Sequence, residues 1–297
     1  MLESHLIGLL VLCPTVVTAQ PLLQEGQEKG QVKEAVLDAP VVKTATPEEL
    51  ESLIGFFESA MEKEEAEGVI EALRRMEMHD NEELVKPAIE ALKYEASKLD
   101  KKAVDLEADT LGITKRSARK EMLIELESKV QAVGARVLST IPGKKSTSAL
   151  MKALKSKDVR KERPLTMAAV IAALGTQKYE KAAKLVEDEL RQQRDPLIAR
   201  ASVRFFGQIQ TKDMDIVRSL IGLLDPPEPA NVDDPSNPPA SYWAARWETW
   251  SHTRRDVTWA LKEITGETFN PAEGGKPSDS ARATKFVKDN AKRLGLK

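Results

Sequence analysis

All four tryptophans of this 297-residue chain fall in one short stretch: Trp243, Trp247, Trp250 and Trp259. The first three recur at i, i+4 and i+7, a spacing that puts them on one face of a helix. Tyr242 adjoins them, in a chain whose aromatic content is only 4%. Rings of this size do one of two things. They stack on a flat ligand, such as a sugar ring or a partner's peptide anchor, or they fill a core. Arg246, Arg254 and Arg255 lie among them and can stack on the rings or pair with Glu248 and Asp256. The candidate ligand-binding set is therefore Trp243, Trp247, Trp250 and Arg246. The competing reading is packing that seals the end of a helical array, the commoner fate of tryptophan at this spacing.

Other chemistry is thinly represented. Asp233, Asp234 and Asn237 could offer oxygens to calcium, but their loop lacks the ordered ligand spacing and glycine of a dedicated site. A solvated acidic loop is the expectation, and no metal is implied. The histidines that follow the N-terminal apolar stretch, His79 and His252, have no neighbour at metal-ligand spacing. No nucleophile elbow, phosphate loop or zinc-protease helix is present. The expectation is a non-enzymatic protein with no cofactor.

Residues 1–19 read as a secretory signal peptide. A short apolar run, Leu6 to Leu12, precedes Val17-Thr18-Ala19, and cleavage is expected between Ala19 and Gln20. The run is too short to span a bilayer, although Met1 to His5 lacks the usual Lys or Arg. Leu12 rather than Gly or Ala precedes Cys13, against a lipoprotein. Cys13 is the only cysteine, so a processed chain would carry no thiol and would form no disulfide. This argues for a periplasmic or secreted protein with no membrane span after leader removal. Residues 20–45 read as a flexible tether.

Charge is balanced, with 45 Lys and Arg against 47 Asp and Glu, for a net charge of -2. Such a balance supplies no general field for nucleic acid. It is uneven locally. Glu48 to Glu67 is strongly acidic. The strip 144–163 carries eight bases against Asp158 and Glu162, and could meet an acidic polymer or be neutralised within the fold.

These residues must be positioned by helices. Thr46-Pro47-Glu48-Glu49 forms a capping box, after which Leu50, Leu53, Ile54, Phe57 and Met61 share a face. Gly68 reads as an interruption. Asp80 to Glu83 repeats the cap logic ahead of Leu84, Ala88 and Leu92. A long helix runs from Thr114 to about Ile141, and a short basic helix carries Leu150, Ala153 and Leu154. No alternating Val/Ile/Thr run suggests a strand. The chain is expected to be all-α.

Two stretches 32 residues apart follow one plan. Pro164 opens a run with Ala169 six residues before Gly175; Pro196 opens another with Ala201 six residues before Gly207. A poorer copy pairs Ala260 with Gly266. Each run is followed by a second apolar stripe, Tyr179 to Leu190 and Ile216 to Leu224. Asp195 can cap the helix beginning at Pro196, and Thr211 the stripe that follows it. The three glycines are expected to end their helices in left-handed turns. Self-similarity at this period marks a stacked helical array. The segments resemble HEAT repeats of the short bacterial, phycobilisome-lyase-like type, well over 164–224 and partially over 253–266. The resemblance implies a right-handed superhelix of antiparallel helix pairs, an α-solenoid, with a protein-binding surface. It does not carry lyase activity, because no residues for it are found. The tetratricopeptide period is also compatible, but that repeat's Trp-Leu-Gly-Tyr pattern is missing.

The resulting organisation is a leader at 1–19, a tether at 20–45, a repeat array at 46–270 broken by a proline-rich loop at 225–241, and a basic helix within 271–297. The expected function is an exported scaffold or adaptor that binds a protein partner in the cell envelope. The alternative is a glycan- or cell-wall-binding module built on the tryptophans.

Overall fold

A computed structural model describes residues 42–193, 195–228 and 236–297, all within one unit, Pro40–Lys297. The leader, most of the tether, and Asp233 and Asp234 lie outside the described residues. Among those residues the chain is all-α, with 13 α-helices and no strand. Extended pairing is confined to isolated bridges, one of which joins Lys43 to His79. Order therefore starts before Thr46. The Lys43 N–H donates to the Met78 carbonyl at 3.0 Å, and Ala45 is buried against Asn81, whose Oδ1 accepts from the Ala45 N–H at 2.7 Å.

Helix α1 (Pro47–Glu62) begins with the expected capping box between Thr46 and Glu49. The break to α2 (Ala66–Met76) falls at Glu64, not at Gly68, which is inside α2 with Ala60 against it. Asn81 does not cap by its side chain, since that group is spent on Ala45; a 3-10 turn at Glu82–Leu84 leads instead into α3 (Val85–Ala91). Helix α4 (Lys98–Thr110) has only Val104 and Ala108 as buried apolar residues. Its anchor is polar. Buried Asp100 accepts from the Tyr94 hydroxyl at 2.5 Å, the Ser97 N–H at 2.9 Å and the Ala66 N–H at 3.1 Å. Burial first, and the hydrogen bond to Asp100 second, push the Tyr94 phenol far above its ordinary pKa.

Helix α5 (Arg116–Thr140) is followed by α6 (Lys144–Leu154), a further short helix α7 (Lys157–Glu162), and α8 (Pro164–Thr176). Then come α9 (Ala183–Gln192), α10 (Pro196–Gln208) and α11 (Met214–Gly222). The chain ends with α12 (Ala240–Thr265) and α13 (Ser280–Leu294). Helices α5, α8, α10 and α12 form a row in which each packs on the next. Helix α6 packs beside α8, α11 touches both α12 and α13, and α9 lies closer to α10 than to α8. The stripes drawn as partners in sequence thus serve the next helix of the row at least as much as their own. One continuous apolar core runs through this row and beyond it at both ends, from Phe57 to Leu296. Burial of each Leu or Val is worth about 1.5–3 kcal/mol, so a neighbour's face, not helix propensity, makes each element stable.

The internal repeat is realised atom for atom at the helix ends. Helices α8 and α10 have 13 residues each and both begin on proline. After α8, the Lys178 N–H donates to Gly175 and the Tyr179 N–H to Leu174. After α10, the Gln210 N–H donates to Gly207 and the Thr211 N–H to Phe206. This is the Schellman pattern, with Lys178 (φ 50°) and Gln210 (φ 48°) at the left-handed position. Gly175 and Gly207 are consequently not the left-handed residues, and only Gly266 (φ 80°) ends its helix as expected. The two helical glycines serve contact. A Cβ on Gly175 would meet Gln208 Oε1 at 2.1 Å and Phe205 Cα at 3.1 Å of the next helix; one on Gly207 would meet Trp259 Cζ3 at 2.6 Å and Ala260 Cα at 2.9 Å. Asp195 caps α10 as expected, but α11 is capped by Asp213, and Thr211 Oγ1 accepts from the Asp213 N–H at 3.3 Å.

Candidate functional site

Helix α12 is twice as long as α10, with 26 residues against 13, so their packing leaves its first turns largely exposed. The proline-rich break sets this up, because prolines at 226, 227, 238 and 239 fix extended backbone and Ala240 starts the helix only after the last of them. The final two residues of the expected loop, Ala240 and Ser241, are therefore helical.

The structure does not treat the tryptophan stripe as one surface. Trp250 is 5% exposed, and its indole N–H donates to the Leu223 carbonyl at 3.0 Å. Trp247 is 42% exposed and meets Trp250 edge-on, with centroids 5.0 Å apart. Trp243 is half-buried against Tyr242 at 5.2 Å, and its buried Nε1 has no partner. Arg246 donates to the Tyr242 hydroxyl at 2.6 Å and lies over that ring. The candidate set thus contains one core residue, one exposed ring, one intermediate ring and an arginine engaged with Tyr242.

Arg254 stacks on a tryptophan as expected, but the carboxylate partners of the arginines differ. Arg254 lies 5.4 Å from the Trp250 ring centroid and pairs with Glu273 at 3.1 Å. Asp256 is taken by the neighbouring helix: Arg200 Nε donates to its Oδ2 at 2.9 Å and Arg204 Nε to its Oδ1 at 2.7 Å. The Asp256 side chain is only 8% exposed, whereas the two guanidinium side chains are 45% and 56% exposed. The Arg204 guanidinium also lies 6.0 Å from the centroid of exposed Trp259. Sequence reasoning missed this cluster because its members are 52 and 56 residues apart. A signal was present: Arg200 and Arg204 are one helical turn apart on a repeat helix whose earlier copy has Ala168 and Ala172 there.

The basic strip is divided. Lys145 pairs with Glu82 at 3.2 Å, Arg163 with Glu127 at 2.5 Å, and Arg160 with fully buried Glu189 at 2.7 Å, while Lys144, Lys152, Lys155, Lys157 and Lys161 are exposed. His79 is buried and His252 exposed. Among the described residues, no His, Cys, Asp and Glu cluster is grouped to hold a metal, and no helix is long and apolar enough to cross a membrane. Two open grooves stand out. One of about 590 Å³ is lined by Met61, Lys86, Ile89, Lys93, Tyr94 and Glu95; another of about 520 Å³ lies between α5 and α8 near Ile124 and Leu165.

Comparison with family models, with curated proteins and with solved structures finds no match to this chain.

Proposed function

We propose that this chain is a non-enzymatic helical-repeat scaffold, an α-solenoid of the HEAT kind, that binds a protein partner. One observation carries the reading. Two copies 32 residues apart share length, proline start, Schellman end and glycine contact to the next helix, within a row that adds one helix at a time. Arrays built this way expose long faces of side chains, which suit docking of another chain. In this reading the leader at residues 1–19 exports the protein to the periplasm or beyond, and cleavage leaves Gln20 first.

The test is site-specific photo-crosslinking in the native cell, with the probe at exposed Ala172, Thr176 or Lys262. A discrete protein adduct from adjacent probe positions, absent from a probe at Glu107 on α4, is expected. Monomer alone from every position would end the scaffold reading. The mass of the mature chain tests export separately, since an N-terminus at Met1 would remove the leader.

The exposure of Trp247 and Tyr242 favours one second reading, a glycan-binding site on the free part of α12. Retention of the full chain on envelope polysaccharide, lost in a Trp247→Ala variant that is still folded, would establish it. Failure of the wild-type chain to be retained would dismiss it.

A further inference from the structure

We propose that Arg200 and Arg204, clamped on Asp256 beside Trp259, form the docking site for a short acidic segment of a partner protein; the proposal rests on the scaffold reading above. Two guanidiniums share one carboxylate, so a unit of positive charge remains uncompensated within the cluster. Each arginine spends only its Nε on Asp256, and neither makes another hydrogen bond to a described residue. The Nη edges are the faces that grip a carboxylate through two parallel hydrogen bonds. Here both edges are held in place by one buried anchor, so little side-chain freedom is left to lose on binding.

The fold itself does not require this cluster. The aligned positions in α8 are Ala168 and Ala172, where α10 has Arg200 and Arg204. Counting from the shared alanine, Asp256 stands where the earlier copies have Leu165 and Leu197. The earlier copies carry uncharged side chains at these positions, with Leu165 partly buried and Leu197 exposed, and so avoid the desolvation that a buried carboxylate costs. The ionic cluster is therefore an addition to the repeat, placed on its surface.

The surroundings choose the ligand. Trp259 is 37% exposed, and Leu197, one turn before Arg200, is 46% exposed. Apolar contacts flank the charges, which suits a peptide that alternates acidic and apolar side chains. The positive charge is also local, because the aligned α8 positions are neutral and the whole chain carries -2. A track for nucleic-acid phosphates needs an extended run of bases.

The test uses the full chain and fluorescence polarisation. The probes are labelled short peptides carrying Glu and Leu at varied spacing, their Gln counterparts, and an oligothymidylate of matched length. At least one Glu peptide is expected to saturate, with its Gln counterpart and the Arg204→Gln variant each weaker by about tenfold or more. The double variant Arg200→Lys/Arg204→Lys keeps the charge and loses the forked donors, so it should also bind more weakly. It stands in if the melting temperature of Arg204→Gln shows that variant to be unfolded. The proposal is overturned if no Glu peptide saturates, if neither variant weakens binding, or if oligothymidylate outcompetes every peptide. A cross-linked partner that persists unchanged in Arg204→Gln removes this site and leaves the scaffold standing. The lack of any cross-linked partner removes the scaffold itself.

Discussion

Gly207 and Ala260 meet backbone to backbone. A Cβ on Gly207 would lie 2.9 Å from the Ala260 Cα and 3.1 Å from its Cβ, with the Trp259 ring closer still. In a free helix, Gly→Ala gains about 1 kcal/mol. Here the added methyl must push α12 off α10, and overpacking of that kind costs about 1–3 kcal/mol. Gly207→Ala is therefore expected to destabilise the fold in urea titration. Gly55→Ala, at a position in α1 with nothing within 4 Å, is expected to stabilise it. Equal shifts for the two variants would refute the contact.

The opposite change should help at the helix ends. Lys178 and Gln210 hold left-handed backbone at φ 50° and 48°, a region that costs a residue with a Cβ about 1–2 kcal/mol. Both side chains are exposed, so little packing is lost. Lys178→Gly and Gln210→Gly should each raise the urea midpoint, by about 0.5–1 kcal/mol in stability once the greater freedom of unfolded glycine is counted. A lowered midpoint in both would contradict the Schellman assignment.

The two central tryptophans should separate cleanly. Trp250→Ala removes a buried indole and leaves the Leu223 carbonyl without its donor, at a cost of about 3–5 kcal/mol. Trp247→Ala removes a half-solvated ring that also touches Trp250, so its cost should be about 1 kcal/mol. Thermal melts of the two variants decide the matter. A larger loss in Trp247→Ala would move the core to the other ring.

Acid should expose the role of Asp279. Its hydrogen bond with Arg282, then that from the Asn270 N–H, lower its pKa from 3.8 to about 2. A carboxylate depressed in the folded state adds stability above its unfolded pKa and loses it as the pH falls toward 2. Asp279→Asn should therefore be less stable than the wild-type chain at neutral pH, with the difference shrinking between pH 4 and 2. The Asp279 side chain is only partly buried, so solvent screening keeps the effect small. A difference that stays constant across that range would exclude ionisation as its cause.

How much of this was legible follows a physical line. Helix class and most boundaries came through, because capping residues such as Thr46 and Asp195 and the apolar spacing act within a few residues. The 32-residue register was equally plain. Helix α4 was not recognised, since its anchor is the carboxylate of Asp100 and not an apolar stripe. Gly175 and Gly207 read in sequence as turn residues, because a glycine in the last helical turn carries the same local signal whether it bends its own chain or admits a neighbour's. The arginine half of the Arg200–Arg204–Asp256 cluster is marked by its departure from Ala168 and Ala172, but its joining to Asp256 depends on how one helix sits against another far along the chain. The tryptophan stripe was found by spacing, but spacing does not say how far α12 outruns its neighbour, and that length is what leaves Trp247 in solvent.

The row of helices also sets how the molecule comes apart. Each member leans mainly on those before and after it, so loss of one seam does not propagate at once to the far end. A weakened junction between α10 and α12 should let the carboxyl-terminal third melt at lower denaturant while the remainder persists. Hydrogen exchange would register this as two families of protected amides in place of one. A chain put together by apposition is also open to dismantling in instalments, from whichever end is less firmly fastened.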